Sequence, residues 1–194
     1  MARDPDAALM VAFQGGDESA FRTLFEKYGR AMVAFCNHFV RDGHRAEELA
    51  QDVFVKVYRS ADRYRPTARF KTFLYRVASN HCLNELRRGE YATQRAADAD
   101  ARREDLDALP GQAATPEDIA VAAALAREVT ALLERLPEKQ RAAFVLGRLE
   151  GLPYEDVAEV LGTSVAAVKS LVHRATLAAA EALAPYASER RQTP

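Results

Sequence analysis

One predicted helix places side chains that bind nucleic acids on a single face. The helix runs from about Phe70 to Arg88, and side chains three or four positions apart share one stripe at 100° per residue. Guanidinium groups bind phosphates, amides hydrogen-bond to base edges, and an aromatic ring stacks on an unpaired base. This combination favours a strand separated from its duplex, and the alternative is a solvated face with its ring against a neighbouring helix. This basic stripe consists of Arg69, Phe73, Arg76, Asn80, Asn84 and Arg87.

A second candidate surface lies nearer the C-terminus. Ala158 falls where two crossing helices need a small residue, and Gly162 suits the positive φ of a sharp turn. Val168, with Leu171 or Val172, would hold the second helix against the first. This spacing is typical of a DNA-binding helix-turn-helix, whose second helix enters the major groove, and a plain helical hairpin is the alternative. The outward positions of the second helix are Ser164, Ala166, Ala167, Lys169, Ser170, His173 and Arg174.

The charge of the chain is distributed in blocks. Its 194 residues carry a net charge of −1, but residues 56–95 contain ten Lys/Arg and three Asp/Glu, a net charge of +7. Residues 96–135 carry −5, whereas residues 1–55 and 136–194 carry −3 and 0. The basic block is therefore either a phosphate-binding surface or a solvated face balanced by the acidic segments.

Apolar spacing predicts that helices position all of these side chains. The predicted helices lie near residues 7–14, 21–39, 45–59, 70–88, 116–136 and 153–162, with two more that begin near 138 and 165. Residues 95–116 lack this spacing and are rich in Ala, Asp, Gly and Pro, which is typical of a flexible linker. The predicted fold class is therefore all-α, with two small helical bundles, residues 1–94 and 117–194, joined by a flexible acidic linker at 95–116.

Composition and motifs argue against several other classes. The chain is 48% apolar and 28% charged, a composition typical of globular proteins. It has no apolar run of membrane-spanning length, and its N-terminus has no signal-peptide pattern. We therefore expect a cytoplasmic protein without membrane insertion. The two cysteines, Cys36 and Cys82, lie on apolar stripes and are interpreted as core residues. We expect no metal site and no cofactor, because the Cys and His spacing does not match a tetrahedral zinc site. No catalytic motif is recognisable, so we do not expect an enzyme.

Two blocks of the sequence together resemble the extracytoplasmic-function (ECF) sigma factors of bacterial RNA polymerase. Residues 48–88, ELAQDVFVKVYRSADRYRPTARFKTFLYRVASNHCLNELRR, resemble region two of that family, and residues 136–174, LPEKQRAAFVLGRLEGLPYEDVAEVLGTSVAAVKSLVHR, resemble region four. The resemblance covers about residues 7–184 and implies an alternative sigma factor that binds core RNA polymerase and promoter DNA and helps to melt the promoter. Many family members also have an anti-sigma factor, which this sequence neither indicates nor excludes. The alternatives are an autonomous helix-turn-helix regulator with an N-terminal sensing or dimerisation domain, and an enzyme with an appended DNA-binding domain.

The resemblance also implies a role for three groups of residues. Core polymerase should dock on Glu48, Gln51 and Asp52. The opened minus-ten element should contact Tyr64, Arg69, Phe73, Arg76, Asn80, Asn84, Arg87 and Arg88. The minus-35 element should contact Ser164, Ala166, Ala167, Lys169, Ser170, His173 and Arg174. Phe73 replaces a tryptophan typical of the family, and Leu171 and Thr176 replace usual basic residues, so we expect the second helix to hold phosphates less strongly than most.

Overall fold

A computed structural model of the chain describes residues 4–40, 42–93 and 116–189. These residues form eight α-helices and no strand, which confirms the all-α prediction. The helices are α1 (Pro5–Gln14), α2 (Glu18–Val40), α3 (Gly43–Arg59), α4 (Phe70–Thr93), α5 (Pro116–Arg135), α6 (Glu138–Phe144), α7 (Tyr154–Leu161) and α8 (Val165–Glu189). A 3-10 turn at Ala61–Arg63 follows α3, and a π-helical turn at Val145–Leu149 continues α6. The predicted linker, apart from Pro116, lies outside the described residues.

Helices α1 to α4 form the first bundle around a continuous apolar core. The inward stripes of α1 to α4 supply its largest buried side chains, which are Met10, Leu24, Met32, Phe35, Phe39, Leu49, Val53, Phe70, Leu74 and Tyr75. Burial of an aliphatic or aromatic side chain of this size contributes about 1.5–3 kcal/mol. The helix that carries the basic stripe is therefore anchored along its opposite side.

Asp4 and Gln14 fix the beginning of α4 to α1. The Asp4 carboxylate accepts a hydrogen bond within the first turn of α1 at 3.1 Å and another from the Phe70 backbone N–H at 2.7 Å. One side chain thus caps two helices. The Gln14 amide donates to the backbone carbonyls of Ala61 (2.7 Å) and Tyr64 (3.0 Å). The loop before α4 is therefore held against the end of α1.

The second bundle contains the helix-turn-helix that the sequence predicts. Gly162 follows α7 with a φ of +59°, in the left-handed region that favours glycine. The Ser164 hydroxyl accepts the Ala167 N–H at 3.2 Å and caps α8. The side chains buried where the helices cross are Ala158, Val168 and Val172. Of the two candidates for the second apolar contact, Val172 is buried and Leu171 is only partly so.

Several helix boundaries differ from the sequence prediction, and α1 and α2 begin at Pro5 and Glu18 rather than near residues 7 and 21. Helix α3 begins at Gly43 rather than near Arg45, because the Asp42 carboxylate accepts the Arg45 N–H at 2.9 Å and caps a helix that starts earlier. Helix α4 continues to Thr93. Pro153 occupies the cap position before α7 instead of the first helical position. In the described part of the chain, no helix is long and apolar enough to cross a membrane.

Candidate nucleic-acid interface

The basic stripe lies along one face of α4, as predicted, with Arg69 directly before the first residue of the helix. Arg69, Asn80, Asn84 and Arg87 are exposed, and so is the neighbouring Arg88. Phe73 and Arg76 are half-buried, and the Arg76 guanidinium carbon lies 5.8 Å from the centre of the Phe73 ring. The structure therefore brings cationic, amide and aromatic groups together along one helix face.

Tyr64, which we expect with its loop to contact the minus-ten element, is buried beneath this surface in the structure. Its side chain is only 3% exposed, and its ring packs edge-on against Phe73 at a centroid distance of 5.0 Å and against Phe70 at 6.3 Å. The backbone hydrogen bond from Gln14 holds the loop in this position. Burial, with the nearby Asp4 charge, raises the pKa of Tyr64 to about 12. The buried Tyr64 ring therefore packs on the inner side of the Phe73 ring and supports it.

Part of the basic stripe and the adjoining side of α4 contact the C-terminal bundle, which sequence analysis did not predict. The Arg76 guanidinium lies 3.3 Å from the Glu159 carboxylate on α7, and Thr72 donates to the Asp156 carboxylate at 3.0 Å. Arg87 pairs with Glu138 at the start of α6 at 3.3 Å. Two arginines of the basic stripe are thus already paired with carboxylates.

The centre of this contact is a buried tyrosine. Tyr75 is 1% exposed and donates its hydroxyl hydrogen to the Glu150 carboxylate, while the Lys71 ammonium donates to the Glu150 backbone carbonyl at 3.0 Å. Burial raises the pKa of the Glu150 carboxyl above its usual value. Burial and the bond to Glu150 likewise raise the pKa of Tyr75. The contact therefore includes a desolvated hydrogen bond as well as surface ion pairs.

The second helix of the helix-turn-helix presents its predicted positions to solvent. Ser164, Ala166, Lys169, Ser170, His173 and Arg174 are exposed, and Ala167 is half-buried. The Ser164 hydroxyl is engaged by the helix cap, and the Ser170 hydroxyl donates to the Ala166 carbonyl at 3.2 Å. The groups that project most freely are consequently the longer side chains of Lys169, His173 and Arg174.

The exposed side of α3 combines the predicted polar residues with an apolar groove. Glu48 pairs with Arg45 at 2.6 Å, and the Asp52 carboxylate lies 3.2 Å from the His81 ring. Gln51 lines a groove of about 390 Å³ whose other lining residues are Phe21, Phe25, Phe54, Val55, Tyr58 and Arg59. Phe25 shares the three- and four-residue spacing of the buried side chains of α2, but it is 46% exposed. Of the lining residues, Val55 and Tyr58 lie outside the core spacing of α3, and they are the signal by which the sequence could have indicated the groove.

The two cysteines are core residues, as predicted. Cys36 on α2 and Cys82 on α4 are fully buried, with their sulfur atoms 3.6 Å apart. The bond to Cys36 and burial raise the pKa of the Cys82 thiol, so it remains protonated at neutral pH. Among the described residues, no group of three or more His, Cys, Asp and Glu is arranged to hold a metal ion.

A helical domain with a polar and aromatic face, followed by a helix-turn-helix domain, defines a two-domain nucleic-acid-binding protein. The Sigma-70 region 2 family matches residues 24–90, and the Sigma-70 region 4 family matches residues 126–177. The chain is 34% identical over 195 residues to the RNA polymerase sigma-H factor of Pseudomonas aeruginosa, covering 97% of this chain and 99% of that protein. It is 31% identical over 172 residues to the ECF RNA polymerase sigma-E factor of Escherichia coli K12, covering 88% and 90%.

Solved structures show the same fold. CnrH, in complex with the cytosolic domain of CnrY, aligns with a TM-score of 0.71 at 24% identity over 94% of this chain and 99% of that one. The sigma factor RpoE of Bartonella quintana, in complex with the anti-sigma factor NepR, aligns with a TM-score of 0.65 at 24% identity over 84% and 96%. The chain belongs to the ECF sigma factors, and it is an alternative sigma factor for transcription initiation. The autonomous regulator is not favoured.

Proposed function

We propose that this sigma factor uses three separate surfaces in transcription initiation. The exposed face of α3 binds core RNA polymerase, the basic stripe of α4 binds the opened minus-ten element, and α8 binds the minus-35 element. The observation that carries this proposal is the position of the basic stripe within the region 2 match and of the helix-turn-helix within the region 4 match. The proposed domain limits are residues 1–94 and 117–194. Bond-making belongs to polymerase, and this chain supplies recognition.

The minus-ten assignment rests on the chemistry of the α4 face. Asn80 and Asn84 carry exposed amides one helical turn apart, and each can donate to and accept from a base edge. Arg69, Arg87 and Arg88 flank them with guanidinium groups that suit phosphates. Phe73 supplies an aromatic edge, while Tyr64 acts by holding that ring in place.

The minus-35 assignment rests on the geometry of α8. Its N-terminal half is exposed from Ser164 to Arg174 apart from the residues that pack on α7. Lys169 and Arg174 are the cations of this surface, and His173 lies between them. With two permanent charges only, the helix neutralises few phosphates, so its affinity for duplex DNA should be low when it acts alone.

The polymerase assignment rests on the groove beside Gln51. Phe25, Val55 and Tyr58 are each exposed by nearly half, although apolar side chains of this size usually stabilise a protein by burial. Exposed apolar groups rimmed by polar ones mark a protein-binding surface. We therefore include the groove with Glu48, Gln51 and Asp52 in the docking surface.

Two further roles follow from the family. CnrH and the Bartonella RpoE were each solved with a binding partner, and RpoE's partner is an anti-sigma factor; we include an anti-sigma factor among the candidate partners of this chain. Bacterial RNA polymerase transcribes the chromosome in the cytoplasm, so we propose that this chain is located there.

Reconstitution tests the proposal. Transcripts that appear when the chain is overproduced define its promoters by their start sites, and run-off transcription with purified core polymerase then checks them. We expect transcripts only when both core enzyme and chain are present. A chain that does not co-purify with core polymerase, or that adds no promoter-specific transcript, contradicts the assignment.

A further inference from the structure

The chain between α3 and α4 contains a short exposed span with a buried residue at each end. Residues 65–69 are exposed except for Ala68, which is half-buried, whereas Tyr64 before them and Phe70 after them are buried. The exposed span leads into the basic stripe, since its last residue is Arg69. Its placement relative to α4 therefore depends on what fixes its two ends.

Gln14, the last residue of α1, holds the first end. Its side-chain amide nitrogen donates to the Ala61 carbonyl at 2.7 Å and to the Tyr64 carbonyl at 3.0 Å. An amide nitrogen carries two N–H groups, so one is available for each carbonyl. The Tyr64 carbonyl also accepts from the Arg65 guanidinium at 3.0 Å. Because Gln14 is half-buried, water competes less for these carbonyls than it would at an exposed turn.

Asp4, at the opposite end of α1, holds the second end. One carboxylate oxygen (Oδ2) accepts the Phe70 backbone N–H at 2.7 Å, and the other (Oδ1) accepts the Asp6 N–H at 3.1 Å. The Phe70 N–H belongs to the first turn of α4, where no carbonyl of the same helix can accept it. A negative charge at this end also interacts favourably with the helix dipole. Asp4 therefore fixes where α4 begins relative to α1.

Helix α1 is itself anchored to the bundle by contacts that do not involve the exposed span. Met10 is fully buried, and the Phe13 ring packs against Tyr58 of α3 at a centroid distance of 4.9 Å. The Asp6 carboxylate pairs with Lys27 of α2 at 2.6 Å. The match with the Sigma-70 region 2 family starts at residue 24, after this helix. Helix α1 is thus a fixed support that the family match does not include.

We propose that Asp4 and Gln14 are positioning residues for promoter opening, which place the exposed span and the beginning of α4 for contact with the separated minus-ten strand. This role rests on the proposed function of the α4 surface, whereas the hold of α1 on the span does not. Both side chains bind backbone groups of the segment, so they fix its course whatever side chains it carries. A separated strand then meets a surface that is already ordered, and less conformational entropy is lost on binding.

Hydrogen exchange of the full chain tests the hold of α1 without DNA. Gln14→Ala removes both side-chain donors, and Gln14→Glu removes them while keeping nearly the same shape. Neither change removes an acceptor from a backbone N–H, so faster exchange of the Tyr64 amide reports motion of the turn itself. We expect exchange in peptic fragments that cover residues 61–70 to be about 3- to 30-fold faster in both variants, since one hydrogen bond changes an opening equilibrium roughly 2- to 12-fold.

Asp42→Ala is the matched control in the same bundle. It removes the cap at the beginning of α3, and the exposed span follows the other end of that helix. This variant should be less stable than wild type but should leave exchange of residues 61–70 within about twofold of the wild-type rate, because that exchange proceeds by local opening. Unchanged exchange in both Gln14 variants, or an equal acceleration in Asp42→Ala, overturns the hold of α1 on the span.

Transcription from a promoter library with a randomised minus-ten element tests the positioning role. With core polymerase, Gln14→Ala should lower open-complex formation by about 3- to 30-fold and weaken base discrimination in the minus-ten element, while co-purification with core polymerase stays at the wild-type level. Asp4→Ala should act in the same direction, because it releases the other end of the span. Asp42→Ala should keep the wild-type base preference, since a loss of stability alone lowers activity on all promoters alike.

The outcomes separate failure of this role from failure of the proposed function. Wild-type base preference in Gln14→Ala, with altered preference in Asn80→Ala, overturns the positioning role, and so does an equal loss of discrimination in Asp42→Ala. Wild-type preference in both Gln14→Ala and Asn80→Ala overturns the minus-ten assignment of the α4 surface and the positioning role with it. Faster hydrogen exchange would in that case still show that α1 holds the span.

Discussion

The hydroxyl of Tyr64 is buried and has no hydrogen-bond partner in the structure. Leaving such a group unsatisfied costs about 1–3 kcal/mol. Tyr64→Phe keeps the ring that supports Phe73 and removes only this oxygen, so we expect the free energy of unfolding to rise by about 1 kcal/mol. For a chain of this size that corresponds to an increase in melting temperature of roughly 2–4 °C. Run-off transcription should be unchanged, because the ring that packs against Phe73 is retained.

Tyr28 offers a matched control in the same bundle. Its ring also packs against Phe70, but its hydroxyl donates to the Asp6 carboxylate at 2.6 Å. Burial and this bond raise the pKa of Tyr28. Tyr28→Phe should therefore lower the free energy of unfolding by about 1.5–3 kcal/mol. Urea unfolding followed by far-UV circular dichroism separates the two variants. A Tyr64→Phe chain that is destabilised like Tyr28→Phe, or that loses transcription at full stability, would refute the packing role.

Three other predictions follow from the surfaces. Gln51→Arg with Asp52→Arg should abolish co-purification with core polymerase without changing helicity, whereas Glu47→Arg on the same helix should not; retained binding by the double variant removes α3 from the docking surface. Asn80→Ala should lower open-complex formation, by tenfold or more if the amide is worth about 1.4 kcal/mol, and should change base preference at one minus-ten position; wild-type activity on every template contradicts this. Burial raises the pKa of Glu150, so folding disfavours the ionised form of this carboxyl group. As the pH falls from 7 toward 4.5, the free energy of unfolding of wild type should therefore rise relative to that of Glu150→Gln. A difference between the two chains that does not change with pH counts against this prediction.

The helices and the helix-turn-helix were predictable because local spacing determines them. The apolar spacing of α2 to α4 matches the buried core, and Gly162 and Ser164 mark the turn and the cap of α8 by their residue types. The helix boundaries were less accurate where a cap decided them, as at Asp42.

The remainder of the site depends on contacts between residues far apart in the sequence. Tyr64 lies in a loop that local signals place at the surface, yet the Gln14 hydrogen bond and the Phe73 ring bury it. Glu159 is an ordinary exposed helix charge in the sequence, and only the tertiary structure pairs it with Arg76, 83 positions earlier. Phe25 shares the spacing of core residues, but none of the helices that the structure describes covers it.

Promoter binding by the full chain, measured by gel shift at moderate salt with and without core polymerase, tests the central claim most directly. Once the promoter is known from mapped transcripts, we expect the isolated chain to bind it weakly, because two arginines of the basic stripe are paired internally and α8 carries few charges. Addition of core polymerase should produce tight, sequence-specific binding that depends on both promoter elements. Nanomolar, sequence-specific binding by the isolated chain, unchanged by core polymerase, would contradict the account and favour an autonomous regulator.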